Sequence, residues 1–135
     1  MPHPFPSASG TSLDETLGID YEEVTAERVV ATMPVGPRVH QPLGYLHGGA
    51  SIVLAESAAS VGANVAALPE RVAFGLEVNA SHLRPKREGT LRATATPIRQ
   101  GRTTAVWDVR VEGEDGKLIC ASRITLALVP AQDRA

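Results

Sequence analysis

Cysteine is nearly absent from this sequence, because Cys120 is the only one among 135 residues. A single thiol cannot form an internal disulfide, so a small secreted scaffold held by disulfides is excluded. Cys120 lies in the apolar segment KLICASRITLALV, where we expect a buried small hydrophobic side chain rather than a reactive thiol. Stability must therefore come from a hydrophobic core, and a single domain of this length can bury one.

An excess of positive charge is also lacking, since 13 Lys and Arg oppose 15 Asp and Glu for a net charge of −2. This balance argues against nucleic acid as a partner. The charge is uneven, however, and seven bases but only two acids lie between residues 84 and 110. Such a basic region suits a small polyanion such as a phosphorylated cofactor, and a set of solvated strand faces is the equally weighted alternative.

Only one hydrophobic run approaches the length needed to cross a membrane. Residues 48–68 form it, but they include Glu56, Asn64 and three serines. A central acid costs about 2.5–3.5 kcal/mol to insert into a bilayer. The N-terminal stretch MPHPFPSASGTS has neither the basic nor the apolar region of a secretory signal. We therefore expect a cytoplasmic protein without a membrane partner.

The order of patterns along the chain predicts one α+β domain. We expect a flexible N-terminal segment over residues 1–11, a single domain over 12–130 and a tail over 131–135. SLDETLGI predicts a short helix with Ser12 as N-cap and Gly18 at its end. DYEEVTAERVVATMPV predicts two strands with a tight connection near Ala26.

The segment from about residue 46 to residue 68 predicts the one long helix, with Pro69 just past its end. Four strands follow, of which TLRATATPI and TTAVWDVRVEG alternate between apolar and polar residues. EDGK predicts a hairpin turn before the last strand. A helix this rich in small residues can be enclosed by an antiparallel sheet that curls around it.

One carboxylate, Glu56, interrupts this otherwise apolar helix. An enclosed carboxylate must be paired, neutralised or functional. Pairing with Ser57, Ser60 or an arginine from a strand is one interpretation, and a catalytic role is the other.

Glycines at the start of the same helix, in HGGAS, indicate a second polar feature. Unpaired N–H groups and the helix dipole make this end electropositive, and Gly48 and Gly49 let a ligand approach the backbone. A turn that needs glycine for geometry alone is the alternative. Gly48 and Glu56 are eight residues apart, about 12 Å along the helix. Because a catalytic group must come within about 3–3.5 Å of the reacting carbon, the two cooperate only across a pair of subunits.

The motif QPLGYLHGGASIVLAES resembles the helix start of hotdog-fold acyl-CoA thioesterases. The nearest branch contains the Glu-dependent hydroxybenzoyl-CoA thioesterase, the dihydroxynaphthoyl-CoA thioesterase and the proofreading thioesterase of enterobactin synthesis, within the phenylacetate-degradation type superfamily. The softer motifs VNASHLRPKREG and GKLICASRIT extend the likeness over nearly the whole chain after residue 10.

The resemblance implies a long helix wrapped by a curved antiparallel sheet, with active sites between paired subunits and a homotetramer built as a dimer of dimers. It implies that Glu56 attacks the thioester carbonyl or activates water, and that the Gly48 N–H polarises the thioester oxygen. Gln41 would orient the thioester or the water, Ser60 would contact either one, and His47 would hold the loop and substrate. For Gln41 and His47, purely structural roles in the loop stay open.

The same resemblance implies a groove for coenzyme A, whose phosphates call for Arg and Lys. The residues it implies there are His82, Leu83, Arg84 and Pro85, with Arg99, Gln100, Gly101, Arg102, Thr103 and Thr104, while Gly75 would lie near the acyl end. No cofactor is implied beyond the coenzyme A of the substrate, and the four histidines show no metal-ligand spacing.

The expected function is therefore hydrolysis of an acyl-CoA, with an aromatic acyl group favoured by the branch. Medium-chain aliphatic acyl-CoA or acyl-carrier-protein thioesters are alternatives. A non-catalytic acyl-CoA-binding protein is a further alternative, although the chain has no room for the DNA-binding segment that such regulators carry. A hotdog hydratase would need a different loop motif with an Asp and a His, which is not found here.

Overall fold

The computed structural model describes residue 1 and residues 3–133. Its regular elements are α1 (Leu13–Leu17), β1 (Asp20–Val24), β2 (Val29–Val35), α2 (Gly48–Ala67), β3 (Arg71–His82), β4 (Gly89–Gln100), β5 (Thr104–Glu112) and β6 (Leu118–Pro130). Short 3₁₀ helices cover Pro37–Val39 and Ala131–Asp133. The expected tail, 131–135, thus lies partly outside the described residues.

The short helix α1 has the ends that its sequence predicts. The side chain of Ser12 accepts a hydrogen bond from the Glu15 N–H at 3.3 Å. Gly18 ends the helix in the left-handed conformation, with a φ of 75°, which glycine adopts without steric cost. Both cap predictions are confirmed.

Six antiparallel strands form one sheet in the order β1-β2-β4-β5-β6-β3. Strand β3 therefore lies at an edge, where β6 is its only neighbour in the described chain. The predicted architecture, one long helix against an antiparallel sheet as in a hotdog fold, is confirmed. Periodicity could not predict the edge position of β3, because strand order depends on pairing between distant segments.

Helix α2 packs against all six strands, least of all against β1, through its small residues. Leu54, Ala55, Ala58 and Ala59 are fully buried. Gly62 lies so close to Trp107 that a Cβ added there would be 2.4 Å from the indole Cη2. The small residues of α2 thus allow the close approach that the sequence indicated.

The alternating faces predicted for β4 and β5 are also confirmed. Leu91, Ala93 and Ala95 of β4 are buried, as are Trp107 and its same-face neighbours of β5. Cys120 is buried too, and burial raises the pKa of its thiol. Helix α2 has the length and composition of a membrane span, but 44% of its apolar window is buried inside this fold.

The N-terminal segment was expected to be a flexible lead-in, and among its described residues Met1 and Phe5 contact the domain. The Met1 amino group donates to the Tyr21 carbonyl at 3.0 Å, and the Tyr21 N–H donates to the Met1 carbonyl at 2.8 Å. Phe5 is partly buried against the core. Proline and small polar residues are typical of any irregular segment, so composition alone does not predict these contacts.

Candidate active site

Glu56 lies on α2 at a cavity of about 450 Å³, which we call the acid cavity. Its lining from α2 consists of Val53, Glu56, Ser57, Ser60, Val61 and Asn64, and the rest comes from residues of the N-terminal segment and α1. Glu56 and Ser60 are one helical turn apart and therefore share a face. The structure thus brings these two predicted site residues together at one cavity.

The Glu56 carboxylate forms no ion pair with any residue that the structure describes. The ion pairs of the described residues involve other acids, namely Asp14, Glu22, Glu23, Asp108 and Glu114. The side chains expected to tie it down do not do so, because the Ser57 hydroxyl donates instead to Asp14, at 2.6 Å. A purely structural role for Glu56 would need such partners, and none binds it among the described residues. The carboxylate therefore remains available to a ligand.

Gly75 of β3 lies directly against this carboxylate. A Cβ at position 75 would be 2.2 Å from Oε2 of Glu56, well inside van der Waals contact. The register pairs Gly75 with Leu126, which is fully buried, so this face of β3 points toward α2. The resemblance implied only that Gly75 lies near the acyl end of the substrate. In the structure Gly75 is in direct contact with the Glu56 carboxylate.

Asn64 fastens the edge strand beside this contact. Its Oδ1 accepts from the Ala73 N–H at 2.8 Å, and its Nδ2 donates to the Ser60 carbonyl at 2.8 Å. The helix thus holds β3 two residues before Gly75 through a side-chain amide. Sequence reasoning missed this role, and a lone asparagine on an apolar helix was the available signal.

A second cavity, of about 430 Å³, lies at the N-terminal end of α2 and is called here the helix-start cavity. It is lined by Gln41, Tyr45, Leu46, Gly48, Ser51, His82, Leu83, Arg84, Pro85 and Ile119. Six of these residues were predicted for the site, from the loop before α2 and the segment after β3. The structure therefore joins the predicted amide donor with part of the predicted coenzyme A groove.

His47 and Gln41 both take the structural roles that the sequence left open. Nδ1 of His47 accepts from the Gly49 N–H at 2.8 Å, so the imidazole is the N-cap of α2. Oε1 of Gln41 accepts from the N–H groups of Leu43 and Tyr45, at 2.6 and 3.3 Å. These bonds also orient the Gln41 amide, whose NH₂ group remains a donor at the cavity.

His82 lies over the start of α2. A Cβ added to Gly48 would be 2.7 Å from Nε2 of His82, so the imidazole occupies the space that a side chain at 48 would need. His82 was expected only to line the coenzyme A groove. Its ring instead contacts the residue that carries the predicted oxyanion donor.

The two cavities remain separate within one chain. Glu56 and Ser60 line the acid cavity, whereas Gln41 and Gly48 line the helix-start cavity. Eight residues of helix, about 12 Å, separate Gly48 from Glu56. A single chain therefore holds both halves of the predicted site without assembling them.

The seven bases between residues 84 and 110 fall into two groups, those that form ion pairs within the described chain and those that do not. Lys86 pairs with Glu114, Arg92 pairs with Glu22, and Arg110 lies 3.9 Å from Asp108. The Lys86 hydrogen bond lowers the pKa of Glu114 to about 2. The remaining bases of this region, none of them in an ion pair among the described residues, are Arg84, Arg87, Arg99 and Arg102.

The segment from Arg99 to Thr104 lies at the other end of α2. Gln100, Gly101 and Arg102 line a hollow together with Ala66 and Ala67, which are about 27 Å along the helix from its first residue. Gln100 is engaged inside the fold, since Nε1 of Trp107 donates to its Oε1 at 2.9 Å and its Nε2 donates to the Ala63 carbonyl. Within one chain, this segment therefore does not meet Arg84.

A buried acid beside the acid cavity was missed by sequence reasoning. Asp14 accepts from the Tyr21 hydroxyl at 2.9 Å and from Ser57 at 2.6 Å, and Nε2 of His3 lies 3.4 Å away. Burial, and then the charge and hydrogen bond of Asp14, raise the pKa of Tyr21 above its usual range. Six acids and no base lie between Asp14 and Glu27, and no local pattern shows which of these acids is buried.

Among residues 1 and 3–133, no three His, Cys, Asp or Glu side chains are grouped so that they could bind a metal ion. The two cavities offer the Glu56 and Asp14 carboxylates, serine hydroxyl groups, amide donors, the imidazoles of His3 and His82, and Arg84. A carboxylate and a helix N-terminus together suit attack on a carbonyl group whose oxygen becomes negatively charged.

Comparison with known proteins gives a consistent result. Residues 43–120 match the thioesterase superfamily. The 1,4-dihydroxy-2-naphthoyl-CoA hydrolase of Listeria monocytogenes is 47% identical over 116 residues, spanning 86% of this chain and 94% of that protein. The hydrolase of the same name from Escherichia coli is 43% identical over 113 residues, with 84% and 83% covered. A crystal structure of a mutant of thioesterase PA1618 from Pseudomonas aeruginosa has a TM-score of 0.86 at 46% identity, covering 91% of this chain and 89% of that one.

Proposed function

Because the chain belongs to the thioesterase superfamily and is an acyl-CoA thioesterase, we propose that Glu56 of one subunit and the Gly48 N–H of a second subunit act on one thioester. The observation that carries this proposal is the position of the two groups. Glu56 lines one cavity and forms no ion pair among residues 1 and 3–133. Gly48 lines another cavity about 12 Å away along the same helix. Two copies with their helices side by side would join the acid cavity of each to the helix-start cavity of the other.

In this site the Glu56 carboxylate attacks the thioester carbon, or takes a proton from a water molecule that does so. Negative charge then develops on the carbonyl oxygen, and the Gly48 N–H donates to it. The C–S bond breaks, and coenzyme A leaves as a thiolate that takes up a proton. If Glu56 itself attacked, water then hydrolyses the anhydride between the acyl group and Glu56; if water attacked, the free acid forms directly. The NH₂ group of Gln41, oriented by the loop, donates to the thioester or to the water. Ser60 contacts substrate or water one turn after Glu56.

Strand β3 supports this assembly, because its outer edge has no partner within the described chain. Phe74 and Leu76 on this strand are 51% and 62% exposed. A long edge strand with exposed apolar side chains is suited to pairing with another chain. Pairing of β3 with the β3 of a second copy would continue the sheet and form a closed twofold dimer. Two such dimers would then form the proposed homotetramer.

The phosphates of coenzyme A are proposed to lie near the arginines that form no ion pair within the described part of the chain. Arg84 lines the helix-start cavity, and Arg87 lies 4.9 Å from the Tyr45 ring center, beside the same loop. The second group, Arg99 to Thr104, lies at the far end of α2 and would reach the nucleotide from the partner subunit. Coenzyme A belongs to the substrate, so the reaction as proposed needs no resident cofactor.

An aromatic acyl group is the proposed substrate class, with medium-chain aliphatic acyl groups as the alternative. Support comes from the relatives from Listeria monocytogenes and Escherichia coli, whose names specify 1,4-dihydroxy-2-naphthoyl-CoA. It also comes from the apolar residues that line the acid cavity beside Glu56, including Phe5, Val53 and Val61.

The test is thiol release from a panel of aromatic and aliphatic acyl-CoA and acyl-carrier-protein thioesters. Glu56→Gln keeps the shape of the side chain but removes its charge, so we expect turnover to fall by at least about 10²-fold with an unchanged fold. Glu27→Gln, at an exposed position of the β1–β2 turn, is the matched control and should keep full activity. Full turnover by a folded Glu56→Gln protein, or a monomeric native mass, would contradict the proposal.

A further inference from the structure

The acid cavity has a wall that no motif indicated. Residues 3–7 fold back over α2, and His3, Phe5, Pro6 and Ser7 line the cavity opposite Val53 and Val61. Phe5 contributes the only aromatic ring of this lining apart from the His3 imidazole. The same segment packs against the core, so it is part of the folded domain.

Three contacts fix the position of this wall. The backbone of Met1 pairs with that of Tyr21, as described above, and the His3 ring meets the Tyr21 ring edge-on at 5.2 Å. The Phe5 N–H donates to Nδ1 of His3 at 3.0 Å. Nε2 of the same ring lies 3.4 Å from Asp14.

Asp14 connects the wall to the catalytic helix. Its two oxygens accept from Tyr21 and from Ser57, and Ser57 is the residue that follows Glu56. Asp14 is only 7% exposed, so losing these partners would leave a buried charge unsatisfied. Phe5 is thus held at a defined position relative to Glu56 by buried polar contacts.

We propose that residues His3–Ser7 form the distal wall of the acyl cavity and that Phe5 limits the length of the acyl group. This inference rests on the proposed function, because it assumes that the acyl group enters the acid cavity beside Glu56. It deepens that function by naming the substrate class as CoA thioesters of compact acids, with long alkyl chains excluded by the Phe5 ring. The remaining wall would come from the partner subunit, and Phe5 is the part that this chain supplies.

The test compares kcat/KM for benzoyl-CoA with that for the alkanoyl-CoA series from butanoyl to dodecanoyl. Phe5→Ala should raise the dodecanoyl-to-benzoyl ratio at least about tenfold, since one or a few methylenes in an apolar pocket are worth that much. Phe5→Trp should change the ratio in the opposite direction. Ser9→Ala, in the same segment but not at the cavity, is the control and should keep the wild-type ratio.

Thermal unfolding of each variant verifies that it is folded, and the opposed substitutions keep the test valid if one variant is unstable. Wild-type ratios in both Phe5→Ala and Phe5→Trp would overturn the inference and leave the proposed function intact. Wild-type protein that releases thiol from none of these thioesters would instead overturn the proposed function, and this inference with it.

Discussion

Gly75 and Glu56 are in contact across the boundary between the edge strand and the central helix, with room for no more than a hydrogen on Gly75. A Cβ at position 75 would be 2.2 Å from Oε2 and 3.2 Å from the carboxylate carbon of Glu56. Because residue 75 of β3 is a glycine with no side chain, the Glu56 carboxylate can lie directly against the strand.

The first prediction concerns this contact. In Gly75→Ala the new methyl group must displace the Glu56 carboxylate, because the strand is fastened to α2 by Asn64. A shift of about 1 Å in a catalytic group costs about 10²-fold in rate, so kcat should fall by about that factor while KM changes little. Steady-state thiol release measures both parameters.

Gly36→Ala is the control for this change, since it lies in extended backbone with no atom within 4 Å of an added Cβ. It should keep wild-type kcat. Unaltered kcat in Gly75→Ala would show that Glu56 acts from another position, or not at all.

A second prediction isolates the Gly48 N–H. A side chain at 48 would collide with His82, so the substitutions are made in a His82→Ala background. Gly48→Ala keeps the N–H, whereas Gly48→Pro removes it at the first helical position, which proline tolerates. His47 has a φ of −70° and a ψ of 130°, the extended conformation that a residue before proline prefers. We expect kcat of the proline variant to be about 10²–10³-fold below that of the alanine variant.

Equal kcat in the two variants would assign the oxyanion contact to another donor. Circular dichroism of both proteins verifies that α2 still forms, so that a lower rate reports the lost donor and not a lost helix.

The third prediction tests whether the site is shared between subunits. Glu56→Gln and the Gly48→Pro/His82→Ala variant are each expected to be nearly inactive, for different reasons. When equal amounts are refolded together, half of the dimers are mixed, and one of their two sites has both groups intact. The intact site takes Gly48 and His82 from the Glu56→Gln chain, so both are wild type there. Activity should therefore recover to about a quarter of that of wild-type protein.

The unmixed variants, refolded separately and then combined without exchange, are the reference for this experiment. If the refolded mixture were no more active than these combined variants, Glu56 and the Gly48 N–H would have to act from the same chain. That result would conflict with their separation of about 12 Å along α2.

The fourth prediction concerns stability at alkaline pH. Burial and Asp14 raise the pKa of Tyr21 in the folded state above the value of about 10 of an unfolded tyrosine. The stabilisation linked to this neutral phenol is therefore complete below pH 10 and is lost as the pH rises above 10. Urea unfolding between pH 8 and 11.5 should show a decline in the free energy of unfolding that is shallower in Tyr21→Phe.

Tyr21→Phe should also be less stable at pH 8, by about 1–3 kcal/mol, because Asp14 loses a buried donor. Only the difference between the two pH profiles reports Tyr21, since other groups titrate equally in both proteins. Parallel profiles would mean that Tyr21 is not the group responsible.

Much of the fold followed from local pattern. The helix α1 and its caps, the long α2 before Pro69, and the alternating faces of β4 and β5 could all be predicted, because capping, helical rise and the two-residue period of a strand depend on near neighbours. The prediction that two subunits share a site also came from the sequence, because the spacing of Gly48 and Glu56 is a property of any helix.

Contacts between distant residues were decided only by the tertiary structure. These include the edge position of β3, the contact of Gly75 with Glu56, the burial of Asp14, and the pairing of Lys86 with Glu114. The N-terminal wall around Phe5 belongs with them, since its composition is compatible with order or disorder. The physical reason is that burial and pairing depend on which segments meet in space, and a one-dimensional pattern contains the preferences of each segment but not its neighbours.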